Sequence, residues 1–256
     1  MGLNIANMLL LTCGGVFVNI DGINTPPSRK LGGVFGYLGF YGMIMISMNR
    51  LYIDGENFLF KVADILKANK LIKEKSDITK LKISYLKELL SRQKKIDGVS
   101  FYAAKLHKYT ESKALEKKSV VLIESQRRLK RYLTNDGVDF ITSGHVRLQS
   151  FVPAGKTRRE KVSFKEKGVD VRLAIDVMAN VCDKKVKAVF LASSDSDMIP
   201  VVREVQGRGA KVFYVGFATQ PNKGLIATCD QSILFRDDEI VESYRMANKR
   251  AKRRDK

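Results

Sequence analysis

The acidic residues are the side chains of this sequence best placed to do chemistry. Asp54 comes directly after the apolar segment Leu51–Ile53, and Asp195 and Asp197 come directly after the apolar segment AVFLASS. One carboxylate at a strand end is commonly a helix cap, whereas two strand ends that carry Asp, one of them doubled, are harder to explain by capping alone. Clustered carboxylates normally gather around a cation, and oxygen ligands without Cys or His suit Mg²⁺ or Mn²⁺. These residues therefore predict a magnesium or manganese site.

A second acidic pair lies in the segment KGVDVRLAIDVM. Asp170 stands at the start of an apolar-periodic helix, so it is either the N-cap of that helix or a further metal ligand. Asp176 lies among apolar residues, where a carboxylate that faces the core is costly without a partner. Either the helix turns Asp176 toward solvent or the position faces a metal. We favour the metal, because the other acids supply a reason for one to be present.

Cysteine and histidine offer little alternative chemistry. The three Cys, at positions 13, 182 and 229, have no C-x-x-C spacing and leave an odd thiol. This pattern argues against a disulfide framework and favours a reducing compartment, so we expect a cytoplasmic protein. The two His, at positions 107 and 145, are isolated and cannot complete a usual zinc site with these Cys.

Apolar periodicity after residue 50 alternates between strand and helix. Short apolar runs predict strands at Leu51–Ile53, Val99–Leu106, Val138–Thr142, Ala188–Ala192, Val212–Val215 and Ile233–Phe235. The i, i+3, i+4 spacing predicts helices at Phe58–Ala68, Asp77–Arg92, Glu111–Leu133, Asp170–Val181 and Asp197–Gln206. The segment 151–167 is interpreted as a basic, mobile connection. Strands separated by helices imply crossovers, so we expect an α/β fold with a mostly parallel sheet, whose ligands meet the carboxyl ends of the strands.

The charge of the chain is large and unevenly distributed. The 256 residues include 46 Lys and Arg against 27 Asp and Glu, a formal charge of +19, and the surplus lies after residue 49. A surplus of this size favours a polyanionic partner, nucleic acid first and an acidic membrane second, although a lysine-rich solvated surface stays possible. The basic C-terminal tail, residues 241–256, is expected to be disordered at its end and to add nonspecific phosphate affinity.

The first 48 residues differ from the rest in composition. They hold 9 of the 19 Gly and 5 of the 8 Met. The uncharged run 31–49 is long enough to be a transmembrane helix candidate, but five irregularly spaced Gly weaken that interpretation. We favour a leader that is disordered or not native to the working protein over a membrane anchor or extra packed structure. A membrane partner is therefore expected only if this leader is a real anchor.

Three motifs carry a resemblance to a known family. The order DGENF, KGVDVRLAIDVM and LASSDSDMIPVVREV, followed by GAKVFYVGF, resembles the NYN domain of the PIN-like nuclease superfamily, especially its LabA-like branch. The likeness covers roughly residues 49–236, and we expect the domain to occupy 49–240. The resemblance implies a Rossmann-like, three-layer α/β/α fold and an acid cluster that binds Mg²⁺ or Mn²⁺ for the hydrolysis of RNA phosphodiesters.

The resemblance also assigns roles to residues. It implies that Asp54 is the ligand after the first strand and that Asn57 orients water or ligand beside it. By the same motifs Asp176 is the mid-chain helix acid, Asp195 and Asp197 form the final acidic pair, and Asp170 is the acid at the helix start. All of these except Asn57 are expected metal ligands, and all except Asp170 are expected to be catalytic.

The expected partner is RNA, with a homo-oligomer also possible. Basic residues in the connection before the acidic helix are the first candidates for phosphate contacts because chain continuity places them near the site; they are Arg158, Arg159, Lys161, Lys165 and Lys167. Alternatives stay open: a non-catalytic RNA-binding regulator with the same fold, another Mg²⁺ phosphotransfer enzyme, or a membrane-tethered protein.

Overall fold

Residues 48–151 and 161–254 are described by the computed structural model, and seven strands lie within them. The strands are β1 (Met48–Asp54), β2 (Gly98–Lys105), β3 (Asp139–Phe151), β4 (Lys161–Lys167), β5 (Val186–Ala192), β6 (Lys211–Phe217) and β7 (Gln231–Phe235). The α-helices of the same ranges are α1 (Gly55–Ala68), α2 (Ile83–Ser91), α3 (Lys113–Asn135), α4 (Val169–Cys182), α5 (Ile199–Gly207), α6 (Lys223–Thr228) and α7 (Asp237–Arg254).

The strands form one sheet in the order β4-β3-β2-β1-β5-β6-β7. All neighbouring pairs are parallel except β3 and β4, which are antiparallel at the edge. Strands β2, β3 and β4 lie on one side of β1, and strands β5, β6 and β7 lie on the other. The strand order therefore reverses at the neighbouring pair β1 and β5. In an open α/β sheet that reversal leaves a crevice at the carboxyl ends of the two strands.

Two apolar cores cover the two faces of the sheet. One core joins the sheet to α1, α2, α3 and α7, with Leu66, Leu86, Leu133 and Ile240 fully buried. The other joins it to α4, α5 and α6. Helices therefore pack on both faces of a mostly parallel sheet, and the expected three-layer α/β/α fold is confirmed.

The basic segment 151–167 is only partly a connection. Its last seven residues form β4, which pairs with β3 from His145↔Lys167 to Phe151↔Lys161, so β3 runs well past the predicted end at Thr142. Charged residues in β4 alternate with Val162 and Phe164, a period typical of a strand, and charge is common on edge strands. The prediction of a mobile connection is wrong for 161–167, and residues 152–160 lie outside the described part.

The C-terminal helix is a second correction. The tail expected from residue 241 begins inside α7, which continues to Arg254, and Ile240, Val241 and Ala247 are buried against the domain. Their spacing of i, i+1 and i+7 gives the helix an apolar stripe, although basic residues dominate its end. This segment is therefore an element of the fold rather than a disordered tail as far as Arg254.

The predicted helix at Asp77–Arg92 is interrupted. A 3₁₀ turn covers Lys75–Asp77, and α2 starts only at Ile83. The Asp77 carboxylate accepts the backbone N–H groups of Lys73 and Glu74, a local bond that competes with helix formation.

None of the helices within residues 48–254 that the structure describes is long and apolar enough to cross a membrane. The possible anchor at 31–49 and the rest of the predicted leader lie almost entirely outside the described residues.

Candidate active site

The candidate site lies where β1 and β5 end side by side. The two strands pair up to Ile53↔Ala192, so Asp54 and the loop that begins at Ser193 leave the sheet at the same edge. This is the edge where parallel strands of an open sheet present side chains to a ligand. The sheet therefore brings together two of the segments that the sequence singled out.

Asp54 is the last residue of β1 and the N-cap of α1. Its carboxylate accepts hydrogen bonds from Asn57 N (3.3 Å) and from Asn57 Nδ2 (2.6 Å). The next residue must be Gly55, because a Cβ there would lie 2.3 Å from the Tyr102 carbonyl oxygen of β2. This close approach starts α1 tightly against the sheet and fixes the direction of the Asp54 side chain.

Ser193 fastens the loop after β5 to Asp54. Its Oγ donates to Asp54 Oδ2 (3.2 Å) and accepts from Asp195 N (3.1 Å). Beside it, Ser194 Oγ donates to Asn57 Oδ1 (3.3 Å). Ser193 is buried and connects two acidic positions.

The Asp195–Asp197 segment forms a short 3₁₀ turn. Asp195 caps that turn by accepting from Asp197 N (2.9 Å) and is half-buried, whereas Asp197 is exposed. Asn222, the N-cap of α6, holds the same loop by donating to Ser194 O (2.8 Å) and Ser196 Oγ (3.0 Å). The sequence offered no signal for Asn222 beyond its capping type, because its partner loop is about 26 residues away.

Asp54 is a buried carboxylate with no cation beside it among the described residues. It is 6 % exposed, and in the described part of the chain its bonding partners are Asn57 and Ser193. Burial raises the pKa of Asp54, the negative charge of Asp195 adds to this, and the hydrogen bonds from Asn57 and Ser193 oppose it. A desolvated carboxylate beside a second acid gains more than an exposed one when a cation binds.

Asp176 has protein partners of its own. Its carboxylate accepts from Tyr102 Oη (3.1 Å) and pairs with Arg172 Nε (2.9 Å), one helical turn earlier on α4. Tyr102 is the register partner of Asp54 on β2, so this tyrosine connects the strand that pairs with Asp54 to Asp176 on α4. Burial, followed by the charge of Asp176, raises the pKa of Tyr102, which keeps its hydroxyl a hydrogen-bond donor. The sequence predicted that Asp176 needs a partner, but not this pair.

Asp170 stands apart from these residues. It is exposed on the first turn of α4, and no hydrogen bond or ion pair involves it among the described residues. The N-cap of α4 is Gly168, at a φ of 81°, so Asp170 is not the cap that the sequence allowed for. The role of Asp170 as a metal ligand stays a prediction.

The acids do not meet as one set in this conformation. Within residues 48–151 and 161–254, no three Asp, Glu, His or Cys side chains are close enough to hold one ion. Asp195 instead accepts from the backbone of its own turn, and Asp176 pairs with Arg172. The donor chemistry nevertheless fits Mg²⁺ or Mn²⁺, because the side chains around Asp54 present oxygen ligands and none is a thiolate or imidazole.

Basic residues line the outer edge of the sheet. Lys165 and Lys167 are exposed on β4, and Lys165 is the register partner of Arg147 on β3. Of the other predicted phosphate contacts, Lys161 lies in β4, and Arg158 and Arg159 fall outside the described residues. The described part of the predicted RNA contacts is thus an edge strand.

Glu166 is a partly buried acid that sequence reasoning missed. It lies on β4 between two of the predicted basic contacts, but its Oε2 is buried and has no hydrogen-bond partner in the described part of the chain. Burial raises the pKa of Glu166 to about 7, and the charges of Glu56 and Asp54 act in the same direction. Glu166 lines the same cavity as Gly55 and Glu56, the two residues that follow Asp54, so it lies near the start of α1.

Comparison with known proteins separates family from fold likeness. No curated protein matches the chain. A solved structure of a protein of unknown function from Vibrio parahaemolyticus is similar over 75 % of this chain and 96 % of that one, at 17 % sequence identity and a TM-score of 0.47. The family description that matches is "NYN domain", over residues 50–236. This match spans most of the chain and contains Asp54, α4 and the loop after β5, so the protein belongs to the NYN domain family, a PIN-like nuclease family.

Proposed function

We propose that this protein is a ribonuclease that hydrolyses RNA phosphodiester bonds with the help of Mg²⁺ or Mn²⁺. The observation that carries the proposal is Asp54: a buried carboxylate at the carboxyl end of the central strand, fastened by Asn57 and Ser193, close to Asp195, and lacking a cation among the described residues. Asp54 lies within the residues that match the NYN domain family, a nuclease family, and this supports a catalytic role for its carboxylate.

The residues that would hold the ion are Asp54, Asp195 and Asp197 at the ends of β1 and β5, with Asp176 and Asp170 on α4. When bound, the ion supplies a water of lowered pKa and neutralises charge that develops on the phosphoryl oxygens. Asp54 is well suited to the direct contact because burial and Asp195 both raise its pKa, so a cation relieves an existing electrostatic cost.

The surrounding side chains position these acids. The backbone N–H and the side-chain amide of Asn57 both donate to the Asp54 carboxylate. Together they hold the Asp54 side chain in one rotamer. Ser193 ties that carboxylate to the backbone of Asp195. Tyr102 holds Asp176, and the half-exposed guanidinium of Arg172 stands beside it, able to meet a phosphate oxygen.

The basic edge strand is proposed to guide the RNA backbone. Lys165, Lys167 and Arg147 provide exposed positive charge there, and Arg158, Arg159 and Lys161 extend the same basic segment. Contacts of this type give affinity that falls as salt rises and carry little sequence information.

A metal-titrated cleavage assay tests the proposal. Labelled single-stranded RNA is incubated with the full chain in Mg²⁺, in Mn²⁺ and in EDTA, alongside Asp54→Asn and the matched control Asp64→Asn, an exposed Asp on α1. We expect metal-dependent cleavage by the parent and the control, and a loss of at least about 100-fold in Asp54→Asn, beyond the loss typical of a supporting residue. Equal cleavage by all three proteins would place the chemistry elsewhere.

A second function is favoured by one observation. Arg172 occupies Asp176, and the described acids do not meet as a set of three. A regulator that binds RNA without cleaving it does not need acids that meet around a metal ion. This alternative predicts salt-dependent RNA binding, no cleavage at any metal concentration, and no effect of Asp54→Asn on binding.

The finer assignments are also proposals. The motif order around DGENF and LASSDSD supports placement in the LabA-like branch, and the free thiols of Cys182 and Cys229 in the described part support a cytoplasmic location. A homo-oligomer is expected as a possibility, and light scattering of the full chain tests it.

A further inference from the structure

Helix α3 carries a strong excess of positive charge. Its 23 residues include seven Lys and Arg against two acids, Glu116 and Glu124. Glu116 pairs with Lys108 in the loop before the helix (2.7 Å), so it does not balance the bases of α3 itself. By contrast, α1 has two bases and two acids. Part of the positive surplus of the chain is therefore gathered on one helix.

Five of these bases lie on the side of α3 that faces solvent. The helix packs against the domain through Ser119, Leu129 and Leu133, which are buried. At 3.6 residues per turn, the opposite side of the helix carries the five exposed bases. This α3 basic stripe consists of Lys113, Lys117, Arg127, Arg128 and Arg131. It extends over about 27 Å, at 1.5 Å per residue along the helix axis.

Like charges are neighbours within the α3 basic stripe. Lys113 and Lys117 are separated by one helical turn, and so are Arg127 and Arg131. Pairs of like charge at i and i+4 destabilise a helix, whereas opposite charges at this spacing stabilise it. The arrangement therefore has a cost in stability that a bound polyanion would offset.

The one acid on this side of α3 neutralises the arginines poorly. Glu124 approaches Arg127 Nη1 and Arg128 Nε only to 3.8 Å, and the two arginine side chains are 73 % and 65 % exposed. Surface pairs of this kind contribute little, and both guanidinium groups stay open to solvent. A guanidinium group can donate two parallel hydrogen bonds to a phosphate, so these side chains suit a phosphate backbone.

The stripe starts at the edge of the sheet that holds the candidate site. Because α3 connects the parallel neighbours β2 and β3, it begins near the carboxyl end of β2 and returns to the amino end of β3. Lys113 and Lys117 therefore lie toward the edge where β1 ends at Asp54, and Arg131 lies toward the opposite edge. A long polyanion that reaches the candidate site has the start of the stripe on the same edge of the sheet.

We propose that the α3 basic stripe binds the sugar–phosphate backbone of RNA at a distance from the cleavage position. This inference rests on the proposed ribonuclease function, and it concerns a different surface from the basic edge strand β4. Contacts from Lys and Arg to phosphates carry little sequence information, so the stripe adds affinity and not specificity.

The apolar residues of the stripe favour RNA over an acidic membrane. Val120 and Val121 lie between the two groups of bases and are 41 % and 51 % exposed. Helices that lie on membranes bury large side chains such as Trp, Phe and Leu, and two valines offer little area for that purpose. Small apolar side chains between bases can instead pack against riboses while the bases contact phosphates.

The salt dependence of RNA binding tests the stripe. Labelled single-stranded RNA is titrated by fluorescence anisotropy with the metal-free, full-length parent and with the triple variant Arg127→Gln/Arg128→Gln/Arg131→Gln, over a series of salt concentrations. Each phosphate contact on a single strand contributes about 0.7 to the slope of log K against log salt. We therefore expect the slope of the triple variant to be shallower by about two. Gln and Arg have similar helix propensities, and a thermal unfolding curve checks that the variant is folded.

A matched control removes the same charge from other surfaces. Lys184, Lys187 and Arg203 are exposed and lie after α4, on β5 and on α5. Their simultaneous change to Gln should leave the slope at the parent value. An unchanged slope in the α3 variant would overturn the inference, and so would equal reductions in both variants, because net charge alone would then explain the binding.

Anionic vesicles provide the competing partner. Parent and α3 variant are mixed with vesicles of phosphatidylcholine and phosphatidylserine, and bound protein is measured after sedimentation. We expect the α3 variant to lose RNA affinity at a given salt concentration whether or not the parent binds vesicles. A parent whose vesicle binding depends on the three arginines, while its RNA binding does not, would overturn the inference in favour of a membrane.

Cleavage kinetics separate this inference from the proposed function. With Mg²⁺ and a long RNA, the α3 variant should show a raised KM and an unchanged kcat, because the stripe does not touch the reacting bond. Cleavage by the parent, with equal binding slopes in parent and α3 variant, overturns the stripe and leaves the ribonuclease standing. No cleavage, with a slope that only the α3 variant loses, overturns the ribonuclease and supports the stripe. Neither cleavage nor a change in slope overturns both.

Discussion

Two buried carboxylates, Asp136 and Asp54, are stabilised in different ways. Asp136 joins two elements of the fold, whereas Asp54 lies in the candidate site. The side chain of Asp136, at the C-terminal end of α3, is 5 % exposed; it pairs with Lys82 Nζ and accepts from Ser84 N (2.7 Å) and Ser84 Oγ (2.8 Å). Asp54 is 6 % exposed and accepts from an amide and a hydroxyl, but in the described part of the chain it has no cation. Both carboxylates are shielded from solvent, but of the two only Asp136 has a cation partner in the described part of the chain.

This difference has a physical meaning. A buried charge is costly unless it is paired, and Asp136 shows that the fold can supply a cation where a carboxylate only joins two elements. At Asp54 the described residues supply hydrogen bonds that set the orientation but no cation that compensates the charge. Unbalanced charge of this kind concentrates at functional sites, which supports the proposal that a metal ion binds at Asp54.

Exchanging each carboxylate for its amide should separate the two roles. At pH 7 we expect Asp136→Asn to lower the free energy of unfolding by about 2 kcal/mol, the scale of a lost charged hydrogen bond, because Lys82 loses its partner. Asp54→Asn should lower the stability far less or raise it, because the variant removes an unpaired buried charge. Urea unfolding of the two variants and the parent measures this. Equal losses in both variants would mean that Asp54 is as structural as Asp136.

Ser193 and Ser84 each donate a hydroxyl hydrogen bond to one of the two carboxylates, so their alanine variants should have different effects. Ser193→Ala removes the link between Asp54 and the backbone of Asp195, so we expect about a tenfold loss of RNA cleavage, as is usual for a group that orients a ligand residue. Ser84→Ala removes a bond to Asp136 and should cost about 1 kcal/mol of stability. Its cleavage rate should stay at the parent value. A tenfold slower Ser84→Ala protein would show that the roles of Asp136 and Asp54 are not separate.

The pH dependence of stability gives the smallest effect. The pKa of Asp54 is raised in the folded protein, so its protonated form is favoured there. That contribution is present below the unfolded pKa and is lost as pH rises through the folded value. The free energy of unfolding of the parent should therefore fall relative to that of Asp54→Asn as the pH is raised from 4 to 7. A parent that gains on the variant over this range would show that Asp54 has a cation after all.

Most of the sheet and the main acidic positions could be predicted from sequence because they follow local rules. Asp54 and Asp195 each end a short apolar run, and parallel strands that end at one edge bring such residues together. The apolar periodicity of α1 and α4 was equally plain. These features depend on neighbours along the chain, where sequence patterns are informative.

The missed features depend on contacts between distant segments. Glu166 stands in a basic edge strand, and its burial follows from the packing of α3 and β3 around it. The Arg172–Asp176 pair did have a signal, since oppositely charged residues at i and i+4 on a helix attract each other. The basic residues at the end of α7 favoured the prediction of a disordered tail. The buried residues Ile240 and Ala247 instead lie on one apolar stripe of a helix.

Direct titration of a metal into the protein tests the central claim, that Asp54 is left uncompensated for a divalent cation. Isothermal titration calorimetry with Mn²⁺ is carried out on the full-length parent, Asp54→Asn and Asp136→Asn, without RNA. The account predicts a saturable binding event in the parent and in Asp136→Asn that is absent or at least tenfold weaker in Asp54→Asn. Undiminished Mn²⁺ binding by Asp54→Asn would contradict it.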